Sequence, residues 1–122
     1  MNLNKMNGTM FSELLNYGYK NLLAHLQIIN DLNVFPVPDG DTGTNMKLTY
    51  SNGLKTITDD DAPVFQISDE FARGMLFGAR GNSGVLTSQY FRGFADACKK
   101  KKEICKSQVH YLVKSVILHL IF

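Results

Sequence analysis

Residues 33–46 contain the feature that most limits how this chain of 122 residues can fold. Pro36 and Pro38 fix φ and bias the residue before each of them towards extended geometry. Both also lack the N–H that an interior β-strand would need. Gly40 and Gly43 then allow the backbone to bend tightly and to approach a ligand closely. The run therefore predicts a stiff loop that ends in a tight turn.

Two carboxylates, Asp39 and Asp41, lie two residues apart on this loop. Hard cations such as Mg²⁺ take oxygen ligands and are often held by one or two carboxylates, with substrate phosphates completing the shell. The pair therefore predicts a divalent metal held together with phosphate. The alternative is that both are turn-forming aspartates of a surface loop. Asn33 is either a third oxygen ligand or a capping or turn-forming side chain.

The residues after the acids open a predicted helix, where free N–H groups and the positive end of the helix dipole favour phosphate. For Thr44 and Asn45, helix capping is the alternative role. The residues that we predict to contact phosphate here are Thr42, Gly43, Thr44 and Asn45.

A glycine-rich turn over residues 78–84 supplies a second candidate anion site. Its N–H groups and its hydroxyl can converge on an anion at the start of the next helix. The alternative is a simple helix–helix turn. An acidic metal loop together with a glycine-rich anion loop is what a nucleotide site needs. The predicted phosphate contacts in this turn are Gly81, Asn82, Ser83 and Gly84.

Apolar residues recur at three- and four-residue spacing along most of the chain, which is typical of amphipathic helices. Thr9, Ser68 and Ser107 are the candidate caps. No strand alternation, repeat or low-complexity tract is present, so we expect an all-α class and a single domain over residues 1–122. The predicted helices cover residues 10–32, 43–55, 68 to the glycine turn, 83–100, and 107 onward.

Taken together, the motifs resemble a known family. Residues 33–46, 78–84 and 90–94 are similar to the N-terminal nucleotide-binding domain of the bacterial fatty acid kinase ATP-binding subunit. That domain is similar to the L subunit of dihydroxyacetone kinase, the DhaL or DAK2 domain. The resemblance covers most of residues 10–96. It implies an antiparallel helical barrel that holds ADP or ATP through two Mg²⁺ ions at one end.

The resemblance also implies an activity, namely transfer of the ATP γ-phosphate to an acceptor presented by a partner protein. That partner would be a fatty-acid-binding subunit, giving an acyl phosphate, or a dihydroxyacetone-binding subunit. Asp39 and Asp41 would bind the metals that bridge the nucleotide phosphates, which supplies electrostatic stabilisation. The family domain is longer, so the chain is expected to be truncated, with any homodimer contact in the regions it lacks.

Two other hypotheses stay open. A truncated chain could bind Mg-nucleotide without catalysis, or only assemble with a partner through the apolar stripe of residues 109–121. An aspartyl-nucleophile phosphohydrolase would use Asp39 as the nucleophile and Asp41 as general acid or base. That chemistry usually follows a buried strand, which the prolines exclude here.

Composition excludes several classes of protein. The formal net charge is +2, and no basic stripe is interleaved with aromatic residues, so no nucleic-acid partner is expected. Cys98 and Cys105 lack metal-ligand spacing, and residues 1–8 lack an apolar signal core. We therefore expect reduced thiols and a cytoplasmic protein. The apolar residues 111–122 are too short to span a bilayer.

Overall fold

The computed structural model describes residues 5–34 and 37–105. Within these ranges the chain forms five helices and one two-stranded antiparallel sheet, and the predicted all-α class is confirmed. The helix predicted from residue 107, with its apolar stripe, lies outside the described residues. The elements are β1 (Lys5–Met6), α1 (Gly8–Ala24), α2 (Leu26–Asp31), α3 (Thr42–Thr56), α4 (Val64–Phe77), α5 (Gly81–Ala97) and β2 (Ile104–Cys105).

The core lies where α3, α4 and α5 pack against one another, with α1 against one side. Phe71 of α4 is completely buried, and its ring meets those of Tyr50 and Phe91 edge-on at centroid distances of 5.0 and 4.9 Å. Phe11 of α1 stacks on Phe94 of α5 at 5.5 Å. Such ring pairs each add about 0.5–1.5 kcal/mol beyond the area that they bury. An aromatic cluster therefore joins four of the helices.

Glycines allow α3 and α4 to approach closely. A Cβ atom on Gly53 would lie 2.6 Å from Cγ of Met75 and 2.8 Å from the Phe71 ring. A Cβ atom on Gly74 would lie 2.0 Å from the hydroxyl oxygen of Thr56. Non-bonded atoms do not come that close, so α3 and α4 can cross at this distance only because Gly53 and Gly74 have no side chains.

The start of the chain differs from the sequence prediction at two points. Asn7, and not Thr9, caps α1, because the Asn7 side-chain oxygen accepts from the Met10 N–H at 2.9 Å. The single helix expected over residues 10–32 is also broken at His25, into α1 and α2. The Asn21 carbonyl there is contacted by both the backbone N–H and the imidazole of His25.

Helix α4 begins at Val64, and not after Ser68 as predicted. The N–H groups of Val64 and Phe65 donate to the carbonyls of Lys102 and Lys101 at 3.1 and 3.0 Å. A distant backbone segment therefore caps this helix, and its side chains give no local sign of that role. Ser68 is buried within the helix.

The strands and the bounds of α5 also differ from prediction. Lys5 pairs with Cys105 and Met6 with Ile104, and a two-residue strand is too short to show alternation in the sequence. Helix α5 starts at Gly81 and ends at Ala97, whereas residues 83–100 were expected. Across the two described ranges, no helix combines the length and the apolar character that crossing a membrane requires.

The contribution of Tyr50 to the stability of the fold depends on pH. Its hydroxyl donates to the Leu15 carbonyl at 2.6 Å, and burial raises the pKa of Tyr50 from 10.0 to about 12. Because the protonated hydroxyl is the donor, its contribution to stability is complete below pH 10 and is lost as the pH rises towards 12.

We expect the free energy of unfolding of the parent chain to fall more steeply across that alkaline range than that of Tyr50→Phe. Urea unfolding of both proteins at several pH values would measure the difference. The other tyrosines and the lysines are common to both chains and serve as the internal control. Parallel pH curves would contradict the assignment.

Candidate functional site

The acidic loop and the glycine turn lie on one pocket of about 370 Å³. The hydroxyl of Ser83, at the start of α5, donates to the carbonyl of Thr42, at the start of α3, at 3.2 Å. The two motifs, which are some forty residues apart in sequence, therefore share a single cleft. The residues that line it are Asn33, Val37, Asp39, Asp41, Thr42, Asn45, Gly81, Asn82 and Ser83.

Thr49, a completely buried residue of α3, holds the glycine turn in place. Its hydroxyl oxygen accepts from the Arg80 N–H at 3.1 Å and donates to the Asn45 carbonyl at 2.8 Å. A Cβ atom on Gly84 would lie 2.4 Å from that oxygen, so α5 can approach only because the side chain is absent. Gly81 has φ of +66°, a conformation that side chains rarely adopt.

The acidic loop turns at Gly40, whose φ is +64°. Asp39 and Asp41 on either side of it are exposed, so both carboxylates are open to a ligand. In residues 5–34 and 37–105, no group of three or more His, Cys, Asp or Glu side chains could hold a metal. A cation here would depend on the two carboxylates and on oxygens from outside the protein, which fits Mg²⁺ bound with phosphate.

Two asparagine side chains accept hydrogen bonds from N–H groups at the N-terminus of α3. The Asn33 side-chain oxygen accepts from the N–H groups of Asp41 and Thr42 at 3.0 and 3.3 Å. The Asn30 side-chain oxygen accepts from the Thr44 N–H at 3.1 Å. The N–H groups of Thr42 and Thr44 are therefore not free for phosphate, contrary to our expectation. Asn33 caps the helix, and its role as a metal ligand stays a prediction.

The N-terminus of α5 is open by comparison. Its N-cap residue, Arg80, makes no side-chain capping bond, and the Gly84 N–H donates to the Arg80 carbonyl at 3.1 Å. That bond is the first of the helix, so the N–H groups of residues 81–83 lie before it in sequence and have no helical acceptor. All three residues line the pocket. Leading N–H groups and the positive end of the dipole favour an anion.

Three predicted contact residues, Gly43, Thr44 and Gly84, do not line the pocket. Gly43 and Gly84 are buried where helices meet, and Thr44 bonds to Asn30. Sequence reasoning missed Asn30 and Thr49. Asn30 lies three residues before Asn33, and this pair of asparagines ahead of a helix is a signal that the sequence offers. A threonine inside a helix commonly bonds back to the preceding turn, so Thr49 gave none.

Two comparisons with known proteins bear on the pocket. The sequence model of the DAK2 domain matches residues 36–120. An uncharacterized protein of Staphylococcus epidermidis is 42% identical over 107 residues, which cover 87% of this chain and 19% of that protein. Uncharacterized proteins of Staphylococcus haemolyticus and Staphylococcus aureus are 41% and 42% identical, and cover 88% and 84% of this chain. The chain spans about a fifth of the length of these curated relatives.

We expect Thr49→Val to reduce the free energy of unfolding by about 1–3 kcal/mol, because the Arg80 N–H loses its acceptor. The control Thr49→Ser keeps the hydroxyl and loses one methyl group. Urea unfolding and amide hydrogen exchange at Arg80 would compare the two variants. Slow exchange at Arg80 in the valine variant would contradict this role for Thr49.

Proposed function

We propose that this chain, which belongs to the DAK2 domain family, binds ATP or ADP together with Mg²⁺ in the pocket between α3 and α5. The family is a kinase family whose domains bind nucleotide. One observation carries the proposal: the acidic loop and the glycine turn line the same cleft. Either motif alone would fit a structural turn, whereas together they supply groups for a metal and for phosphate.

The nucleotide phosphates would lie against the start of α5. The N–H groups of Gly81, Asn82 and Ser83 would donate hydrogen bonds to phosphate oxygens there, together with the Ser83 hydroxyl. Glycine at position 81 lets the start of α5 approach Asn45 closely, since a Cβ atom there would lie 2.6 Å from the Asn45 side chain.

Asp39 and Asp41 would hold the metal, as two ions in the arrangement that the family resemblance implies. The donor set of two carboxylates fits cations that share phosphate oxygens. Bound Mg²⁺ neutralises charge that develops on a transferred phosphoryl group. The chain itself contributes positioning. The loop before α3 carries the acids, and the start of α5 carries the N–H groups that would face the anion. Thr49 holds Arg80, and Ser83 holds Thr42, so the two helix starts stay together.

The reaction that we propose is transfer of the γ-phosphate of ATP to an oxygen of an acceptor presented by a partner protein. The bond from the γ-phosphorus to the bridging oxygen breaks, a bond to the acceptor oxygen forms, and ADP leaves. A hydroxyl acceptor also releases its proton to water, whereas a carboxylate acceptor has none to lose. A fatty acid, giving an acyl phosphate, and dihydroxyacetone are the two acceptors that the family resemblance implies. We place either reaction in the cytoplasm as part of the same proposal.

The phosphohydrolase alternative has less support. Its nucleophile normally follows a buried strand, whereas the acidic loop here follows α2. In the part of the chain that the structure describes, both strands lie in the sheet that joins residues 5–6 to residues 104–105. A non-catalytic chain that binds Mg-nucleotide remains the second candidate, because the relatives are about five times longer.

We expect Asp39→Asn and Asp41→Asn each to weaken the Mg²⁺-dependent affinity for ADP by about tenfold or more, since even residues that only support a metal ligand change affinity by that factor. Calorimetric titration with Mg-ADP would measure the loss. Because both aspartates are exposed, the melting temperature should change little.

The matched control is Glu13→Gln, which removes the same charge from an exposed position on α1, away from the pocket. Its titration curve should equal that of the parent. Unaltered curves for both aspartate variants would rule out the proposed metal site, whatever the behaviour of the control.

A further inference from the structure

We infer that Asn30 is a positioning residue for the acidic loop: it fixes the start of α3 against α2 and so sets where Asp39 and Asp41 can hold a metal. This inference rests on the proposed function of the pocket. Asn30 does not line the pocket, so it would act through the residues that it holds.

Both ends of the Asn30 amide are bound to one residue. Its Oδ1 accepts from the Thr44 N–H at 3.1 Å, and its Nδ2 donates to the Thr44 hydroxyl at 3.0 Å. Asn30 and Thr44 are both partly buried, which limits competition from water. A two-point contact fixes orientation as well as distance, because rotation of either partner breaks one of the bonds.

Helix α2 has little else to hold it in place. It is six residues long and contains no buried residue. Apolar burial therefore contributes little to its alignment with α3, and polar contacts must supply the rest. The helices are also close, since a Cβ atom on Gly43 would lie 2.9 Å from the Leu26 carbonyl and 3.0 Å from Oδ1 of Asn30.

Asn30 and Asn33 together close the acidic loop at its base. The Asn33 side chain accepts from the N–H groups of Asp41 and Thr42, and the Asn30 side chain accepts from the N–H of Thr44, within the same first turn of α3. With its ends held, the loop loses less conformational freedom when it binds a ligand, and preorganisation of this kind increases affinity. Asn33 lines the pocket and is itself a candidate ligand, so Asn30 is the residue that separates positioning from coordination.

The test is calorimetric titration of the 122-residue chain with ADP, once with Mg²⁺ and once with a chelator. The ratio of the two affinities measures how much the metal adds. We expect Asn30→Ala to reduce that ratio by about tenfold, at the lower end of the effect of residues that support metal ligands. The metal-free affinity, which depends on the start of α5, should stay at the parent value.

The matched control is Glu70→Ala. The Glu70 carboxylate accepts from the N–H and the hydroxyl of Thr58 at 3.1 and 2.8 Å. This is also a two-point contact on one threonine, although here the side chain accepts both bonds. It joins α4 to the residues after α3, away from the pocket. General loosening of the fold would affect both variants, whereas a positioning role affects the metal ratio of Asn30→Ala alone.

The outcomes separate the two claims. If the parent binds ADP with Mg²⁺ and Asn30→Ala keeps the parent ratio, or Glu70→Ala loses as much, the role of Asn30 is overturned and the proposed function stands. If the parent shows no Mg²⁺-dependent binding, both fall. Should Asn30→Ala fail to fold, Thr44→Val removes only the hydroxyl partner. A smaller drop in the ratio for that variant supports the inference, and an unchanged ratio overturns it.

Discussion

The hydrogen bond between the buried Thr49 hydroxyl and the Arg80 N–H is the contact on which the candidate site depends. It joins the middle of α3 to the residue that precedes α5, so the two helix starts face each other across the pocket. The Ser83 hydroxyl on the Thr42 carbonyl adds a second link at the rim. Both contacts need α5 close to α3, which Gly84 permits by having no side chain.

The two helix starts in the pocket are treated in opposite ways. Asparagine side chains occupy N–H groups at the start of α3, and the N-cap residue of α5 leaves its leading N–H groups uncapped by its side chain. An anion is therefore favoured at the start of α5, whereas the start of α3 follows directly after the two acids. The helix end that favours an anion and the two carboxylates that precede α3 are therefore different parts of the lining of one pocket.

Local pattern explains which parts of this structure could be predicted. Apolar spacing was enough to identify the helical class, and the two motifs were enough to suggest a common site. The start of α4 was not predictable, because its caps are the carbonyls of Lys101 and Lys102, which lie far away in sequence. The position of Thr49 was hidden for the same reason, since the role of its hydroxyl depends on a backbone group of another helix.

The sheet that pairs Lys5 with Cys105 links the beginning of the described chain to the centre of the bundle. The residues just before β2 supply the carbonyls that cap α4, and α4 carries the fully buried Phe71. Separation of the two strands would therefore release the segment whose carbonyls cap the helix that carries Phe71. The first turn of α4, about sixty residues after Lys5, thus depends on the strand at the start of the described chain.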